Sequence, residues 1–210
     1  KGKDYDFETR LAGRFNVYNT LGAVGACLSE GVPMETIVEG MKDFKSVPGR
    51  FELIDEGQPF AVVVDYAHTP DGLEKILTTA EEITKGRIIV VFGCGGDRDR
   101  MKRPIMGRIA ARNADIALVT SDNPRTEDPA SIVKEVAAGV EEVKKEKPSL
   151  SYEVIVDRRS AIRRAIELAK PGDIVLIAGK GHENYQILKD KTIHFDDREE
   201  ARKALKLKEK

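Results

Sequence analysis

The stretch IALVTSDNPRTEDPASIVKEVAAGVEEVKKE, residues 116–146, predicts a β-strand, a polar loop and a helix in direct succession. Residues 116–120 form a short apolar run with the β-branched content of a strand that is covered on both faces. Residues 129–146 place apolar side chains at helical spacing. A strand that leads through a loop into a helix is part of a βαβ unit, which builds parallel sheets.

The same alternation runs from residue 61 to residue 179. The predicted strands are AVVVDYA (61–67), RIIVVFG (87–93), IALVT (116–120), YEVIV (152–156) and DIVLIAG (173–179). The predicted amphipathic helices cover about residues 71–85, 101–113, 129–146 and 159–170. We therefore expect an α/β fold with a doubly wound, Rossmann-like, mostly parallel sheet whose strands are covered on both faces.

The two ends of the chain depart from this rhythm. YQILKDKTIHF (185–195) predicts a short hairpin, and a charged helix is expected from about Asp196 to Leu207. Residues 1–47 contain only two helical patches, at about 17–30 and 34–42, and Pro48-Gly49 after them indicates a linker. We place a domain boundary near residue 47, which gives domains of residues 1–47 and 48–210.

Composition narrows the class of ligand. Apolar residues make up 40% of the chain, charged residues 34%, and the formal net charge is −1. Proteins that bind nucleic acid electrostatically carry a basic excess, so we expect no nucleic-acid partner. There is no apolar run of transmembrane length and no disulfide or zinc framework in Cys27 and Cys94, so we expect a cytoplasmic protein without a membrane partner.

Polar and charged residues follow four of the predicted strands. Ligands of open α/β sheets bind at the carboxyl ends of the strands, so we expect these segments to form one site. The segments are DYAHTPD (65–71), GCGGDRDR (93–100), DNPR (122–125) and GKGHE (179–183).

The glycine loop does not fit a dinucleotide-binding fingerprint. Gly93 and Gly95 match the start of G-x-G-x-x-G, but Arg98 occupies the third glycine position, and these residues contain no Walker A pattern. The loop is equally consistent with a tight turn that needs glycine. Arg98 and Arg100 favour anion recognition, because a guanidinium group binds carboxylate or phosphate through two hydrogen bonds.

Each of the other residues also has an ordinary structural explanation. His68 and His182 are consistent with capping or buried histidines, whereas Lys180 between two glycines indicates an exposed backbone that a ligand approaches closely. Asp122 and Asn123 are consistent with a helix N-cap or a turn. Thr126 is likewise consistent with an N-cap for the helix that begins near residue 129. Neither explanation accounts for an arginine, residue 125, behind a rigid proline at a strand end.

Six segments together resemble the Mur ligase family. They occur in the family's order and extend over most of the chain. The segments are AGRFNVYN (12–19), VPGRFE (47–52), DYAHTPDGL (65–73), VFGCGGDRD (91–99), SDNPRTEDP (121–129) and AGKGHENYQ (178–186).

The resemblance implies a three-domain enzyme of which this chain is the C-terminal part. Residues 1–47 resemble the end of the central ATPase domain, and residues 48–210 the Rossmann-like C-terminal domain. The implied cofactors are ATP and Mg²⁺, with the phosphate-binding loop and the metal ligands upstream. We expect a monomer that needs the N-terminal and central domains of the same polypeptide, with no catalytic residue and no metal ligand in this part. Residues 1–47, separated from that partner, are expected to expose apolar surface.

The closest resemblance is to the branch that adds the third amino acid of the peptidoglycan stem peptide. It implies ATP-dependent addition of meso-diaminopimelate to UDP-MurNAc-L-Ala-D-Glu through an acyl phosphate. The implied amino-acid-binding residues are Arg98, Asp122, Asn123, Pro124, Arg125, Gly179 and Glu183. The implied nucleotide-binding residues are Asn16, Asn19, Arg50, Asp65, Tyr66 and His68.

Within that set, the resemblance assigns Arg125 to the distal carboxylate of diaminopimelate, which lysine lacks. It assigns Arg98 to a carboxylate, and Gly179 and Glu183 to an ammonium group. The alternatives are a lysine-adding or another Mur-type ligase, a folylpolyglutamate synthetase, an NAD-dependent oxidoreductase, or a non-catalytic binding module.

Overall fold

The computed structural model describes residues 3–9, 11–44 and 46–208. These residues form two units, one that ends at Val47 and one that begins at Pro48. The first unit contains helices α1 (Arg14–Ser29) and α2 (Met34–Asp43). The second unit contains, in chain order, β1 (Glu52–Leu53), β2 (Ala61–Asp65), α3 (Pro70–Ile83), β3 (Ile88–Phe92), α4 (Lys102–Asn113), β4 (Ile116–Val119), α5 (Pro129–Glu146), β5 (Ser151–Val154), α6 (Arg158–Leu168), β6 (Ile174–Ala178), β7 (Tyr185–Ile187), β8 (Thr192–His194) and α7 (Asp197–Lys208).

Six strands of the second unit form one sheet in the order β1-β2-β6-β3-β4-β5. The five strands from β2 to β6 are parallel to one another, and only β1 is antiparallel. The chain progresses across the sheet from β3 to β5, and β6 then returns to lie between β2 and β3. This reversal brings the carboxyl ends of β2, β6, β3 and β4 next to one another, which is where ligands bind in such sheets.

Helices cover both faces of the sheet. Helices α6 and α7 pack against alternate strand residues such as Val64, Val91 and Ile177, all of which are fully buried. Helix α4 packs against both α3 and α5, and these three helices contact strands β3, β4 and β6. The central strands β3 and β6 contain only buried residues, because neighbours on both faces exclude water. The expected doubly wound, mostly parallel α/β fold is therefore confirmed.

Helices α4 and α5 approach each other through two glycines. A Cβ atom at Gly107 would lie 2.1 Å from the carbonyl oxygen of Val136, and one at Gly139 would lie 2.0 Å from that of Pro104. Larger residues would force the helices apart. This close packing fixes the beginning of α4, which follows the glycine-rich loop of β3.

Two local predictions differ from the structure, and one strand was missed. Strand β5 is not covered on both faces, because it lies at the sheet edge and leaves Ser151 and Val154 exposed. The short edge strand β1 was not predicted, since two residues carry no alternation signal. Thr126 does not cap α5. Asp128 does so, by accepting hydrogen bonds from the amides at positions 130 and 131.

The first unit exposes apolar side chains, as expected from the sequence. On α1, Val17, Tyr18, Leu21 and Leu28 are all exposed, Tyr18 to 63%. Among the described residues, no helix has the length and apolar character needed to cross a bilayer.

Candidate active site at the carboxyl ends of the parallel strands

One cavity of about 310 Å³ lies at the carboxyl ends of β2, β3, β4 and β6. Each of the four polar segments singled out in the sequence contributes to its wall. Three side chains of the lining are cationic at neutral pH and two are carboxylates. The lining residues are Tyr66, His68, Thr69, Gly95, Arg98, Lys102, Asp122, Asn123, Arg125, Gly179 and Glu183.

Arg125 is held in an unusual backbone conformation at the end of the DNPR segment. Its φ of +52° lies in the left-handed region, which residues other than glycine rarely adopt. Its amide donates to the carbonyl of Ile187 at 3.1 Å, and its Nη1 donates to the carbonyl of Gly96 at 2.9 Å. Strain of this kind persists where the surroundings fix the residue, and it is frequent at functional sites. The contacts direct the guanidinium group toward the glycine loop and the cavity.

A second set of contacts ties the glycine loop of β3 to the loop that follows β4. Asp97, also at a positive φ of 52°, accepts hydrogen bonds from the hydroxyl of Thr126 at 2.6 Å and from its amide at 3.2 Å. The amide of Asp97 donates to Glu127 at 2.7 Å. Thr126 therefore joins two loops instead of capping α5.

Arg103, on α4, connects the loop after β3 to the loop after β4. Its fully buried guanidinium group donates two hydrogen bonds to Glu127, at 2.7 and 2.9 Å, and one to Glu135 at 2.9 Å. The hydrogen bonds from Arg103, together with the backbone amide of Asp97, lower the pKa of Glu127 to about 2. The loops that carry Arg98 and Arg125 thus share one ionic anchor.

The loop after β6 turns through two glycines with positive φ. Gly179 has a φ of +124°, and a Cβ atom there would lie 2.8 Å from Oδ2 of Asp122. Gly181 has a φ of +54°, and its Cβ position is blocked by Tyr66 at 2.6 Å. Both positions therefore require glycine.

The interpretation of Lys180 as part of an exposed backbone is wrong. The residue is fully buried, because the turns at its two glycine neighbours direct its side chain inward. Its Nζ donates to Oδ1 of Asn123 at 2.9 Å and to the carbonyl of Tyr185 at 2.7 Å.

Asn123 connects the DNPR segment to the GKGHE segment. Its Nδ2 donates to Oε2 of Glu183 at 3.0 Å, and its Oδ1 also accepts the amide of Ile187 at 2.9 Å. Its neighbour Asp122 accepts a hydrogen bond from Gln186 through its carbonyl at 2.7 Å. Neither Asp122 nor Asn123 caps a helix, so the capping alternative is excluded. Pro124 is buried, its carbonyl lies against Gly96, and it is not among the residues that line the cavity.

The β2 end contributes an aromatic wall. The rings of Tyr66 and His68 are in edge contact with centroids 4.6 Å apart, and the centroid of the His182 ring lies 5.3 Å from that of Tyr66. The exposed guanidinium group of Arg50 lies 4.7 Å from the centroid of the Tyr66 ring. His68 is exposed, with Nδ1 2.8 Å from the carbonyl of Tyr66. His68 is therefore neither buried nor a cap.

Asp65 faces the backbone instead of the cavity. Its carboxylate accepts the amide of Phe51 at 2.7 Å and the amide of Ala67 at 2.7 Å. Burial raises the pKa of Asp65, while these two hydrogen bonds oppose the shift. Asp65 thus holds the segment that leads into β1 and the segment that follows β2.

The two asparagines of the first unit contact each other on α1. Asn19 donates from Nδ2 to Oδ1 of Asn16 at 3.2 Å, and Asn16 donates to the carbonyl of Ala12 at 2.7 Å. Asn16 is buried and Asn19 is exposed.

Two residues of the site region escaped the sequence analysis. Lys102 lines the cavity and donates to the carbonyl of His68 at 3.0 Å. The sequence did contain a signal for Lys102. A cation in the first turn of a helix interacts unfavourably with the helix dipole, so a lysine at that position indicates a role other than stabilising the helix. Arg158, beneath the cavity floor, is fully buried and donates to the carbonyl of Ala178 at 2.9 Å. No local pattern distinguishes it from the exposed arginines of the same helix.

The family model described as Mur ligase, glutamate ligase domain, matches residues 49–181, which include three of the strand-end segments in full and the first three residues of the GKGHE segment. The chain belongs to the Mur ligase family. The sequence-based identification of the family is therefore confirmed.

Two individual relatives are similar to this chain over nearly its whole length. The chain is 56% identical over 198 residues to a UDP-N-acetylmuramoyl-L-alanyl-D-glutamate--2,6-diaminopimelate ligase of Clostridium botulinum (strain ATCC 19397 / Type A), a match that covers 93% of this chain. It is 55% identical over 201 residues to the ligase of that name from Syntrophomonas wolfei, covering 96% of this chain. In both cases the match spans 40% of the relative's length.

A solved structure of a UDP-N-acetylmuramoyl-L-alanyl-D-glutamate--2,6-diaminopimelate ligase has the same fold. It superimposes with a TM-score of 0.75 at 40% identity, over 98% of this chain and 41% of that one. The activity of the relatives belongs to polypeptides that are longer than this chain.

Proposed function

We propose that this chain supplies the amino-acid site of an ATP-dependent ligase that adds meso-diaminopimelate to UDP-MurNAc-L-Ala-D-Glu. The names of the relatives support the reaction, and the lining of the cavity supports the substrate. Arg125 carries the assignment, because it is held in a left-handed backbone conformation with its guanidinium group at the cavity wall.

The polarity of the cavity suits a zwitterion with an additional carboxylate. Arg98, Lys102 and Arg125 provide cations, and Asp122 and Glu183 provide carboxylates. A partly buried guanidinium group without an anionic partner is costly, so Arg125 favours a ligand with a distal carboxylate and disfavours L-lysine. In this proposal Arg98 binds a second carboxylate, while Gly179 and Glu183 bind an ammonium group.

The chemistry assigned to this chain is binding and orientation. The dipeptide carboxylate is activated as an acyl phosphate by transfer of the γ-phosphoryl group of ATP. The deprotonated amino group of the bound amino acid attacks the acyl carbon, and the C–O bond to phosphate breaks as the amide forms, with release of inorganic phosphate and a proton. Fixing the amine by several charge-assisted contacts makes the attack effectively intramolecular.

The nucleotide side of the reaction involves a second group of residues. We assign Asn16 and Asn19 to the adenine, and Arg50, Tyr66 and His68 to the nucleotide. The carboxylate of Asp65 already accepts two backbone hydrogen bonds, so its contribution is to hold the segment that carries Arg50. The ligands of Mg²⁺ are assigned to the preceding part of the polypeptide.

The remaining assignments follow from the same proposal. Residues 48–210 correspond to the amino-acid-binding C-terminal domain, and residues 1–47 to the end of the central ATPase domain. The exposed apolar side chains of α1 then pack against the rest of that domain. The complete enzyme is proposed to be a cytoplasmic monomer.

Phosphate release by the complete polypeptide tests the proposal. The assay contains ATP, Mg²⁺ and UDP-MurNAc-L-Ala-D-Glu, with either meso-diaminopimelate or L-lysine. Release that depends on meso-diaminopimelate alone is expected. Dependence on L-lysine would keep the ligase and reject the role of Arg125, and the absence of release with both would reject the proposed reaction.

A further inference from the structure

Lys180 occupies a position where burial of its ammonium group is unfavourable in free energy. Its side chain is fully buried below the cavity floor. Removing an ammonium group from water is unfavourable unless acceptors replace the lost hydration. A buried lysine that lies next to a binding site therefore needs an explanation beyond packing.

The surroundings of Lys180 provide acceptors from three segments. The Nζ atom of Lys180 donates hydrogen bonds to the amide oxygen of Asn123 at 2.9 Å and to the carbonyl of Tyr185 at 2.7 Å. The carboxylates of Asp122 and Glu183 lie 3.4 and 3.6 Å from the same nitrogen. The ammonium group thus lies between two carboxylates that both line the cavity.

The formal charges around this nitrogen leave a surplus. Asp122 and Glu183 contribute two negative charges and Lys180 one positive charge. Arg158, the other cation under the floor, is neutralised by its bidentate pair with Asp197. One negative charge therefore remains on the group formed by Asp122, Glu183 and Lys180, which matches a ligand group that carries one ammonium.

We propose that Lys180 is a positioning and specificity-determining residue that holds Asp122 and Glu183 in place and limits the charge they present to one. The inference rests on the proposed function, because the ammonium it serves is that of the incoming amino acid. Without Lys180 the two carboxylates would repel each other and present a second negative charge. The site would then favour a more cationic amino acid.

Lys180→Gln in the complete polypeptide tests the inference. Glutamine keeps N–H donors for Asn123 and Tyr185 but removes the charge. We expect the KM for meso-diaminopimelate to rise about 30-fold, the typical effect of truncating one member of a buried charged pair, with the KM for ATP unchanged. The preference for meso-diaminopimelate over L-lysine should fall, since both carry two ammonium groups but L-lysine lacks the second carboxylate and has the more positive net charge. Lys189→Gln, on the exposed turn between β7 and β8, is the matched control.

A double variant covers the case in which the single variant does not fold. Lys180→Gln combined with Asp122→Asn returns the formal charge of this group to one negative charge. The amino-acid preference of the double variant should therefore lie closer to that of the parent than the preference of Lys180→Gln does. If Lys180→Gln does not fold, the preference of the double variant is compared with the parent alone and should be close to it. Equal increases of KM for all substrates, or an unchanged preference in Lys180→Gln, would overturn the inference. A double variant without the parent's preference would do the same where the single variant cannot be measured. A parent protein that releases no phosphate with either amino acid would instead reject the proposed function.

Discussion

The guanidinium group of Arg158 donates two hydrogen bonds to the carboxylate of Asp197, at 2.8 and 2.7 Å, and both side chains are fully buried. The pair joins the first turn of α6 to the first turn of α7. Arg158 also donates to the carbonyl of Ala178 at the end of β6. Burial disfavours the charged form of Arg158, but Asp197 outweighs it and raises the pKa of the guanidinium group. The C-terminal helix is thereby tied to the strand end from which the GKGHE segment departs.

Arg158→Met is expected to lower the free energy of unfolding by about 3–5 kcal/mol, because it leaves the Asp197 carboxylate buried without its partner. Denaturant titration measures the change. The exposed Arg163 of the same helix provides the control, and Arg163→Met should change stability little. Adding Asp197→Leu to Arg158→Met should recover part of the loss. A single variant as stable as the parent would contradict the structural role of the pair.

Arg125→Ala is expected to weaken binding of meso-diaminopimelate by about 2–5 kcal/mol, as the loss of a charge-assisted contact with the ligand does. The KM for meso-diaminopimelate in the ligase assay of the complete polypeptide reports the effect, and the KM for ATP serves as an internal reference. Arg163→Ala is the control for loss of an exposed arginine. A small rise in KM with the preference for meso-diaminopimelate intact would remove Arg125 from the proposed site.

Gly179→Ala is expected to reduce both stability and amino-acid binding. The new Cβ atom would lie 2.8 Å from Oδ2 of Asp122, and the φ of +124° is itself unfavourable for alanine. Gly172→Ala separates the two causes, because Gly172 has a φ of +86° with no atom within 4 Å of its Cβ position. Thermal unfolding should detect a loss in both variants. The KM for the amino acid should change only in Gly179→Ala, and equal KM values in the two variants would contradict the collision with Asp122.

Glu127→Gln is expected to flatten the acid limb of the stability profile. The pKa of Glu127 is lowered in the folded protein from 4.5 to about 2, so its contribution is complete above pH 4.5 and is lost as pH falls toward 2. The stability difference between parent and variant should therefore be largest near neutral pH and should shrink on acidification. Urea titrations at a series of pH values measure it, with Glu74→Gln on the exposed face of α3 as the control. A difference that is independent of pH would show that Glu127 acts through its shape alone.

Local pattern was sufficient for most of the fold. The strand at 116–119 and the helix at 129–146 follow from hydrophobic run length and helical spacing, which depend on neighbouring residues only. The same signals missed β1, and at β5 they predicted the strand but wrongly predicted that both of its faces are covered. Both are edge strands, with few residues or one solvent-exposed face, so their pairing depends on the rest of the sheet.

The sequence by itself determined the family, the parallel α/β class and the four polar segments at the strand ends. Parallel strands separated by helices must bring such segments to one edge of a sheet, so their convergence needed no coordinates. Only the tertiary structure decided which side chains face the cavity. Asp65 bonds to the backbone amide of Phe51, Lys180 is buried against Asn123, and Arg158 pairs with Asp197 on α7, so each has a partner from another segment of the chain. Those contacts depend on sheet order and backbone direction, and neither is encoded in the spacing of neighbouring residues.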